Sequence, residues 1–592
     1  TKIQTTQMNK IITSLVGAAA MASVASAAII KKSGDITVSE TWTKDNQYIL
    51  TDLTFVKSGA VLTIEEGTII RGEPKSGSSA YDPGALVITR TGQIEAEGTP
   101  SEPIIFTTAV IDQDQDGQYS DDTVDYSSDI DYNTVNFLDS DPAGNPLSPG
   151  FGFLATGTGD EHTGADEYRG LWGGVIILGN APTSIIEISG DTVVNTNRTA
   201  RNDLNDIFEG FIEGLDPADT LNDNGIYGGS NPNDSSGTFK YASIRHGGTN
   251  IAADNEINGL TMGGVGNGTL IEFVEVYCND DDGFEWFGGT ANSRYLVSLY
   301  NNDDSFDIDE GFTGLGQFWF SLQLNDEVNG DHGSEHDATH GTFDSIDVAF
   351  LNGTDVLAAG VGYFTNDNDV TGDGYNGQAD RTGDGIYANY VGAGDPDAEK
   401  IAYEPGDGAD QGLGLPIAYP TIFNATYVGG WNADEMIKCD DSFGGDYFNS
   451  IFVGTGNDLV DVSTDARTRV EVGDCSYINH SIAYDINGST GALSGSQLSN
   501  YSTMQTILAS AANNNVLDGT NPFATLTKDN SRANVDPRIT DAANAKITPA
   551  PATATYFISA PYLGAFDPSL DTFWTDGWTV FSANFDLDAG SR

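Results

Sequence analysis

The sequence predicts an all-β fold built as a solenoid, a parallel β-helix, and three observations lead there. Two matched phrases, Asp281-Asp282-Gly283-Phe284-Glu285 and Asp303-Asp304-Ser305-Phe306-Asp307, begin 303 − 281 = 22 residues apart, and the offset holds at every matched position. A repeat of that length is one structural unit stacked on the next. Between the phrases, Ser293-Arg294-Tyr295-Leu296-Val297-Ser298-Leu299-Tyr300 alternates and is rich in β-formers, so it reads as a strand. A helical crossover needs roughly a dozen further residues, and the interval has no room for one. Third, strands of three to five residues alternate with short Gly, Asn and Asp turns along most of the chain. Equivalent residues on successive coils then stack roughly 4.8 Å apart. Asp281 falls over Asp303, Asp282 over Asp304, Phe284 over Phe306 and Glu285 over Asp307.

In chain order, Met8-Asn9-Lys10, the apolar run Ile11 to Ala22 and the small residues Ala25-Ser26-Ala27 fit a secretory signal with its cleavage site. The apolar run is too short to span a bilayer, and no later stretch suits a membrane span. Residues 1–7 read as read-through, so 1–27 is a leader and 28–592 a single β-helix domain. The first cysteine is Cys278, far beyond the cleavage site, which argues against a lipid anchor. Cys278, Cys439 and Cys475 are too few for a disulfide framework. Cys439 and Cys475 either pair in an oxidising compartment or stay as buried thiols.

Short strands then follow: Tyr48-Ile49-Leu50, Val61-Leu62-Thr63-Ile64, Ala85-Leu86-Val87-Ile88 and Ile104-Ile105-Phe106, with Gly59, Gly67 and Gly72 at turns. Two stretches break this grain. Residues at about 110–168 are polar and acidic, and those at about 353–420 are rich in Gly and Asp. Both read as acidic loop insertions between coils. Ser502 to Ala512 reads as a short flanking helix with Ser502 as its N-cap.

Composition narrows the function. Lys and Arg total 25 against 87 Asp and Glu, a formal net charge of −62. That excludes nucleic acid as a natural partner, disfavours anionic membranes and suits a cation-rich medium. At 38% hydrophobic residues the chain still has enough apolar side chain to fill a long core.

Several phrases carry a resemblance. They are GAVLTIEEGTIIRG (59–72), RGLWGGVIILGNAP (169–182), NDSSGTFKYASIRHGG (233–248), EINGLTMGGVGNGTLIEFVEV (256–276), DDGFEWFGGT (281–290), DDSFDIDEGF (303–312), FNATYVGG (423–430) and YLGAFDP (562–568). Together they resemble a family of secreted bacterial right-handed parallel β-helix proteins, surface or lipoprotein-like. The resemblance implies the fold, its handedness and an extracellular or cell-surface location in a bacterium. It implies no activity, since fold alone does not fix function.

Several sites carry chemistry. Two like charges ~4 Å apart repel by about 1 kcal/mol in water and about 4 at an effective dielectric of 20. The stacked acids at 281–307 therefore need bound calcium, raised pKa values, or turn-capping roles in which Asp and Asn bond their own backbone. Asp112, Asp114 and Asp116 followed by Gly117 form the start of a calcium loop. Position 12 is Thr123 rather than Glu, and no helices flank it. Asp367, Asp369, Thr371 and Asp373 offer a second such loop. Calcium is the expected cofactor, with no organic cofactor. His332, His336 and His340 lie at i, i+4 and i+8, but Gly333 and Gly341 favour turns, where the three would not converge on zinc.

Asp281, Asp303, Asp304 and His332 are also the catalytic candidates if this is an enzyme. Acidic motifs on successive coils followed by His-Gly resemble polygalacturonase-like glycosidases, although the expected Arg-x-Lys is missing. A pectate-lyase-like reading needs a base, and Arg294 is the nearest. Trp286, Phe287 and Trp319 either stack a sugar or pack the core. The preferred expectation is a secreted calcium-binding surface protein, structural or adhesive, with a glycan or protein partner. The alternative is a polysaccharide hydrolase or lyase.

Overall fold

The computed structural model describes residues 28–75, 83–113, 168–183, 224–229, 231–249, 257–323, 330–337, 418–430, 434–440, 443–464, 478–526, 535–551 and 555–583, with shorter pieces between them. Most of its strands join into one 25-stranded sheet whose ladders are all parallel, wound as a coil with three faces. The first face begins with Glu40–Trp42, Val61–Ile64 and Gln93–Glu97, and the second includes Ile69–Gly72 and Ile104–Thr108. The third runs through Ala85–Ile88, Val175–Leu178, Leu260–Gly263, Phe284–Phe287, Phe306–Asp309, Ser334–His336, Ile437–Cys439 and Val460–Val462. From Gly237–Arg245 onward the first and second faces share long strands, Leu270–Tyr277, Ser293–Leu299 and Leu315–Leu322, each bent once. Phe284 pairs with Phe306 and Glu285 with Asp307, which is the 22-residue register read from the sequence.

Alternation puts every second side chain inside the coil. Leu260, Met262, Phe284, Trp286, Phe306 and Ile308 belong to one core that runs the length of the coil. Within it Trp286 and Trp319 stack at 5.0 Å, and Phe306 lies 4.8 Å from Trp319 and 5.5 Å from Phe284. Both tryptophans are fully buried, so neither is available to a sugar.

The bend between the first two faces is made without a loop. Tyr241, Phe273, Tyr295 and Phe318, at equivalent places on four coils, have φ of 47°, 56°, 61° and 60°. One left-handed residue turns the strand, at a cost of order 1–3 kcal/mol each. Their rings then stack outside the coil at 4.3, 4.2 and 4.8 Å, which offsets that strain. Asn424, Asn449 and His480 continue the same left-handed row.

The C-terminal stretch lies along the second face. Trp578 meets Tyr241 edge-on, Trp574 meets Phe273, and Phe566 and Phe581 pack on Phe320. The backbone N–H groups of Val580 and Phe581 donate to the buried Glu275 carboxylate. The helix Ser502–Leu508 buries Met504 and Leu508 in the interior core, closing the end of the coil. Its N-cap is Tyr501, with no side-chain cap bond. Ser502 is the first helical residue rather than the cap, because the chain leaves its extended conformation one residue earlier than the Ser signal suggests.

The coil resumes in register across long excursions. Gly237–Arg245 pairs with Gln93–Glu97 and Ile104–Thr108, and Ile437–Cys439 pairs with Ser334–His336. Besides the two excursions expected, a third leaves after Leu178. In it Glu209–Phe211 pairs antiparallel with Ile226–Gly228 and packs Ile212, Leu215 and Tyr227 over Ile176, Leu178 and Phe287. Cys278 and Cys439 are buried, and Cys475 lies outside the described residues.

Candidate functional site

The third face carries the acids. Its outer row runs Thr261, Glu285, Asp307, Glu335, Lys438 and Asp461 in direct register. The period-two alternation that buries Phe284 and Phe306 sends these side chains outward.

The turns leading into that face carry a second row, and here the bonding departs from the turn-capping expectation. Asp282 N–H donates to Asn258 Oδ1 at 3.1 Å, Asp304 N–H to Asp282 Oδ1 at 2.8 Å, and His332 N–H to Asp304 Oδ1 at 2.6 Å. Each side chain thus holds the backbone of the next coil rather than its own turn. A turn N–H outside the ladder needs an acceptor, and the side chain one coil away lies at rung distance. Asn301 makes the reverse link, its Oδ1 accepting from the Asn279 N–H of the preceding coil at 2.9 Å, while Asn279 Nδ2 donates within its own turn to the Asp282 carbonyl at 2.8 Å. Gly283 is required in the first acidic phrase, since a Cβ there would come within 2.5 Å of Asn301 Nδ2 and 2.7 Å of Ser305 O.

His332, 3% exposed, ends the row. Its Nδ1 lies 2.9 Å from Asp304, 3.5 Å from Glu335 and 3.7 Å from Asp331, and its Nε2 lies 3.4 Å from Glu435. Burial alone would lower its pKa, but Asp304, Glu335 and Glu435 overcome that and hold the imidazolium. Glu335 is held down at about 2: burial would raise it, but His332, Asp304 and Lys438, the last at 2.5 Å, outweigh this. Burial first, then neighbouring carboxyls, pushes Asp282, Glu285 and Asp307 well above the ordinary carboxylate range.

Four overlapping groups have one ligand atom per residue within 4.8 Å of one another: Asp281-Asp282-Asp303, Asp282-Glu285-Asp307, Asp303-Asp304-Asp331 and Asp304-His332-Glu335. The structure therefore brings together Asp281, Asp303, Asp304 and His332. It adds Glu285, Asp307, Asp331, Glu335, Glu435 and Lys438. Glu335 had a signal: Gly333-Ser334-Glu335 follows His332 as Ser305-Phe306-Asp307 follows Asp304. Lys438 and Glu435 had none, because a long excursion separates them from their neighbours.

Other expectations fall elsewhere. Arg294 is not a base beside the acids. It sits on the first face, where it is paired with Glu272, donates to the Tyr556 carbonyl and lies over the Tyr556 ring. A strand's register carries it to a neighbouring face, away from the turns on either side. His336 points inside the coil, bonded to Ser334 Oγ and Tyr447 Oη, so it does not converge with His332. His340 lies outside the described residues. Of the loop residues expected to bind calcium, Asp112 is buried beside the first excursion. Asp114, Asp116, Asp367, Asp369, Thr371 and Asp373 lie outside the described residues.

Residues 34–120 and 217–361 match a family model described as a pectate-lyase like beta helix domain, and the second stretch covers the acidic rows from Thr261 to Glu335. No curated protein and no solved structure matches the chain. Among the described residues no helix is long and apolar enough to cross a membrane. The in-register coil and the two matched stretches together make this chain a parallel β-helix protein, similar over those stretches to the pectate-lyase like domain.

Proposed function

We propose that the chain is a calcium-stabilised β-helix that works by binding, in a structural or adhesive role at or outside a bacterial cell surface, with a glycan or protein as partner. The observation that carries this reading is the turn row. Asp282 and Asp304 each hold the backbone of the next coil, and the His332 imidazolium is enclosed by Asp304, Glu335 and Glu435. Groups tied down in this way hold coils together. An inverting glycosidase needs two carboxyls ~6.5–9.5 Å apart with a water between them, whereas within each of the four groups the ligand atoms crowd within 4.8 Å. The leader, the charge of −62 and the two acidic loops support secretion and calcium. The test is a glycan and surface-protein binding screen with and without calcium. Calcium-dependent retention without cleavage supports the reading, and glycan cleavage defeats it.

A second reading, a polysaccharide hydrolase or lyase, draws on the family match and on Asp331. Burial, with Asp303 and Asp434 nearby, raises the Asp331 carboxyl to about 6 against the pull of His332. A carboxyl near neutrality beside a cation suits proton transfer. Loss of glycan cleavage in Asp331→Asn would establish this reading, and absence of cleavage by the parent chain would end it.

A further inference from the structure

Away from the acidic rows, one lysine meets a side-chain amide. Lys57 follows the strand Asn46–Val56, and its Nζ donates to Asn224 Oδ1 in the third excursion. We propose that Lys57 and Asn224 join in an isopeptide bond, an amide between two side chains, with Asp35 carrying the protons. The bond locks the third excursion to the coil. The proposal is independent of calcium and of any glycan chemistry.

Three observations carry it. First, the coil sets Asp35 beside Lys57. Asp35 lies opposite Phe55 and Ile36 opposite Val56 in the ladder of Ala28–Ile36 on Asn46–Val56. The Lys57 N–H donates to Ile36 O at 3.0 Å, so the ladder continues past the strand end. Ile36 and Val56 lie in the core, and alternation sends Asp35 and Lys57 outward together. Asp35 Oδ2 lies 3.6 Å from Lys57 Nζ.

Second, the pair is sheltered. Asn224 is 4% exposed and the Lys57 side chain 15%, so little water competes for the amide carbon. Third, the amide is held in place. Asn224 leads into Ile226–Gly228, which pairs with Glu209–Phe211, and Ile212 N–H donates to Gly225 O at 2.9 Å. Phe211 packs so closely that a Cβ on Gly225 would lie 2.4 Å from its ring. Ile212, Leu215 and Tyr227 share one apolar cluster with Leu53 and Phe55 of the coil. Amine and amide thus sit on separately anchored elements, 167 residues apart in sequence.

The amide carbon is one carbonyl bond from Oδ1, which brings Nζ within reach of the ~3–3.5 Å from which a nucleophile attacks. Asp35 takes a proton from the Lys57 ammonium, and the freed amine adds to Asn224 Cγ. The adduct collapses as the Cγ–Nδ2 bond breaks. Two protons leave Nζ in all, and Asp35 passes both to the departing nitrogen, which leaves as ammonium. The step needs neither oxidant nor cofactor.

The test is peptide mapping of the full chain by mass spectrometry, with intact mass alongside. The parent should yield one branched peptide joining Lys57 to Asn224, lighter than its two parts by one ammonia, and trypsin should not cut after Lys57. Lys57→Arg and Asn224→Ala should give the two peptides unlinked, at full mass, with a lower Tm. Asp35→Asn should slow linkage roughly a hundredfold; linkage at the parent's rate would overturn proton transfer through Asp35. Asn224 precedes Gly225, and closure of that pair to a succinimide also expels ammonia. A lighter parent whose peptides stay unlinked therefore overturns the proposal, and so does a parent at full mass. The parent's own map decides the matter even if a variant fails to fold.

Discussion

Asp304→Asn separates a carboxyl that builds the coil from one that waits for a substrate. Asp304 accepts the His332 backbone N–H at 2.6 Å and faces the His332 ring nitrogen at 2.9 Å, with both residues 3% exposed. Asn keeps an acceptor for the N–H but removes the countercharge. Hydrogen bonds to charged groups contribute ~1.5–3 kcal/mol, and Glu335 and Glu435 remain near His332 to soften the loss. A local loss of about 2 kcal/mol follows, which is roughly 30-fold at 1.36 kcal/mol per factor of ten. Hydrogen exchange across 330–337 should therefore quicken about 30-fold where opening is local. Asp303→Asn is the control, since Asp303 is exposed, and surface changes stay within about 0.5 kcal/mol. Unchanged protection in Asp304→Asn, or equal effects in the two variants, would refute the idea that the turn row holds the coils.

Other predictions concern the rest of the coil. Glu73 is buried, with its carboxyl raised to about 7 by burial despite a bond from Tyr132 Oη. A folded pKa above the ordinary 4.5 means the fold favours the protonated form, so stability is full below pH 4.5 and declines as pH rises through 7. The decline is roughly 3 kcal/mol; Glu73→Gln should flatten it in denaturation midpoints at pH 5 and pH 8, and an unaltered slope would count against it. Phe306→Ala removes a ring packed among Phe284, Trp286, Trp319 and Tyr427 and should cost ~3–5 kcal/mol in urea unfolding. Gly237 has φ +108°, and a Cβ there would lie 2.0 Å from Ile94 O. Gly237→Ala should therefore cost about 3 kcal/mol, and a neutral result would mean the first face is paired differently.

Much of the fold was legible because a coil repeats its side-chain pattern. The phrases at 281 and 303 announce their register, since each position has the same inside or outside neighbour. The same rule could have found the pair Glu272 and Arg294, opposite charges one coil apart. The ring row of Tyr241, Phe273, Tyr295 and Phe318 was not legible. Aromatics in strands suggest a core, whereas these sit outside on left-handed bends covered by the C-terminal stretch. The third excursion was missed because its short apolar runs look like coil strands. Within the site, the clustering of the acids was legible and their bonding was not: a side chain that holds its own turn and one that holds the next coil look alike in sequence. Thr261 joins the outer row only once the rows are placed.

The most direct measurement is a crystal structure of the full chain grown with calcium and again with terbium, using the anomalous signal to place the ion. The account predicts a bound ion, with Phe284 and Phe306 stacked on adjacent coils. No bound ion, or Phe284 and Phe306 in separate sheets, would contradict it.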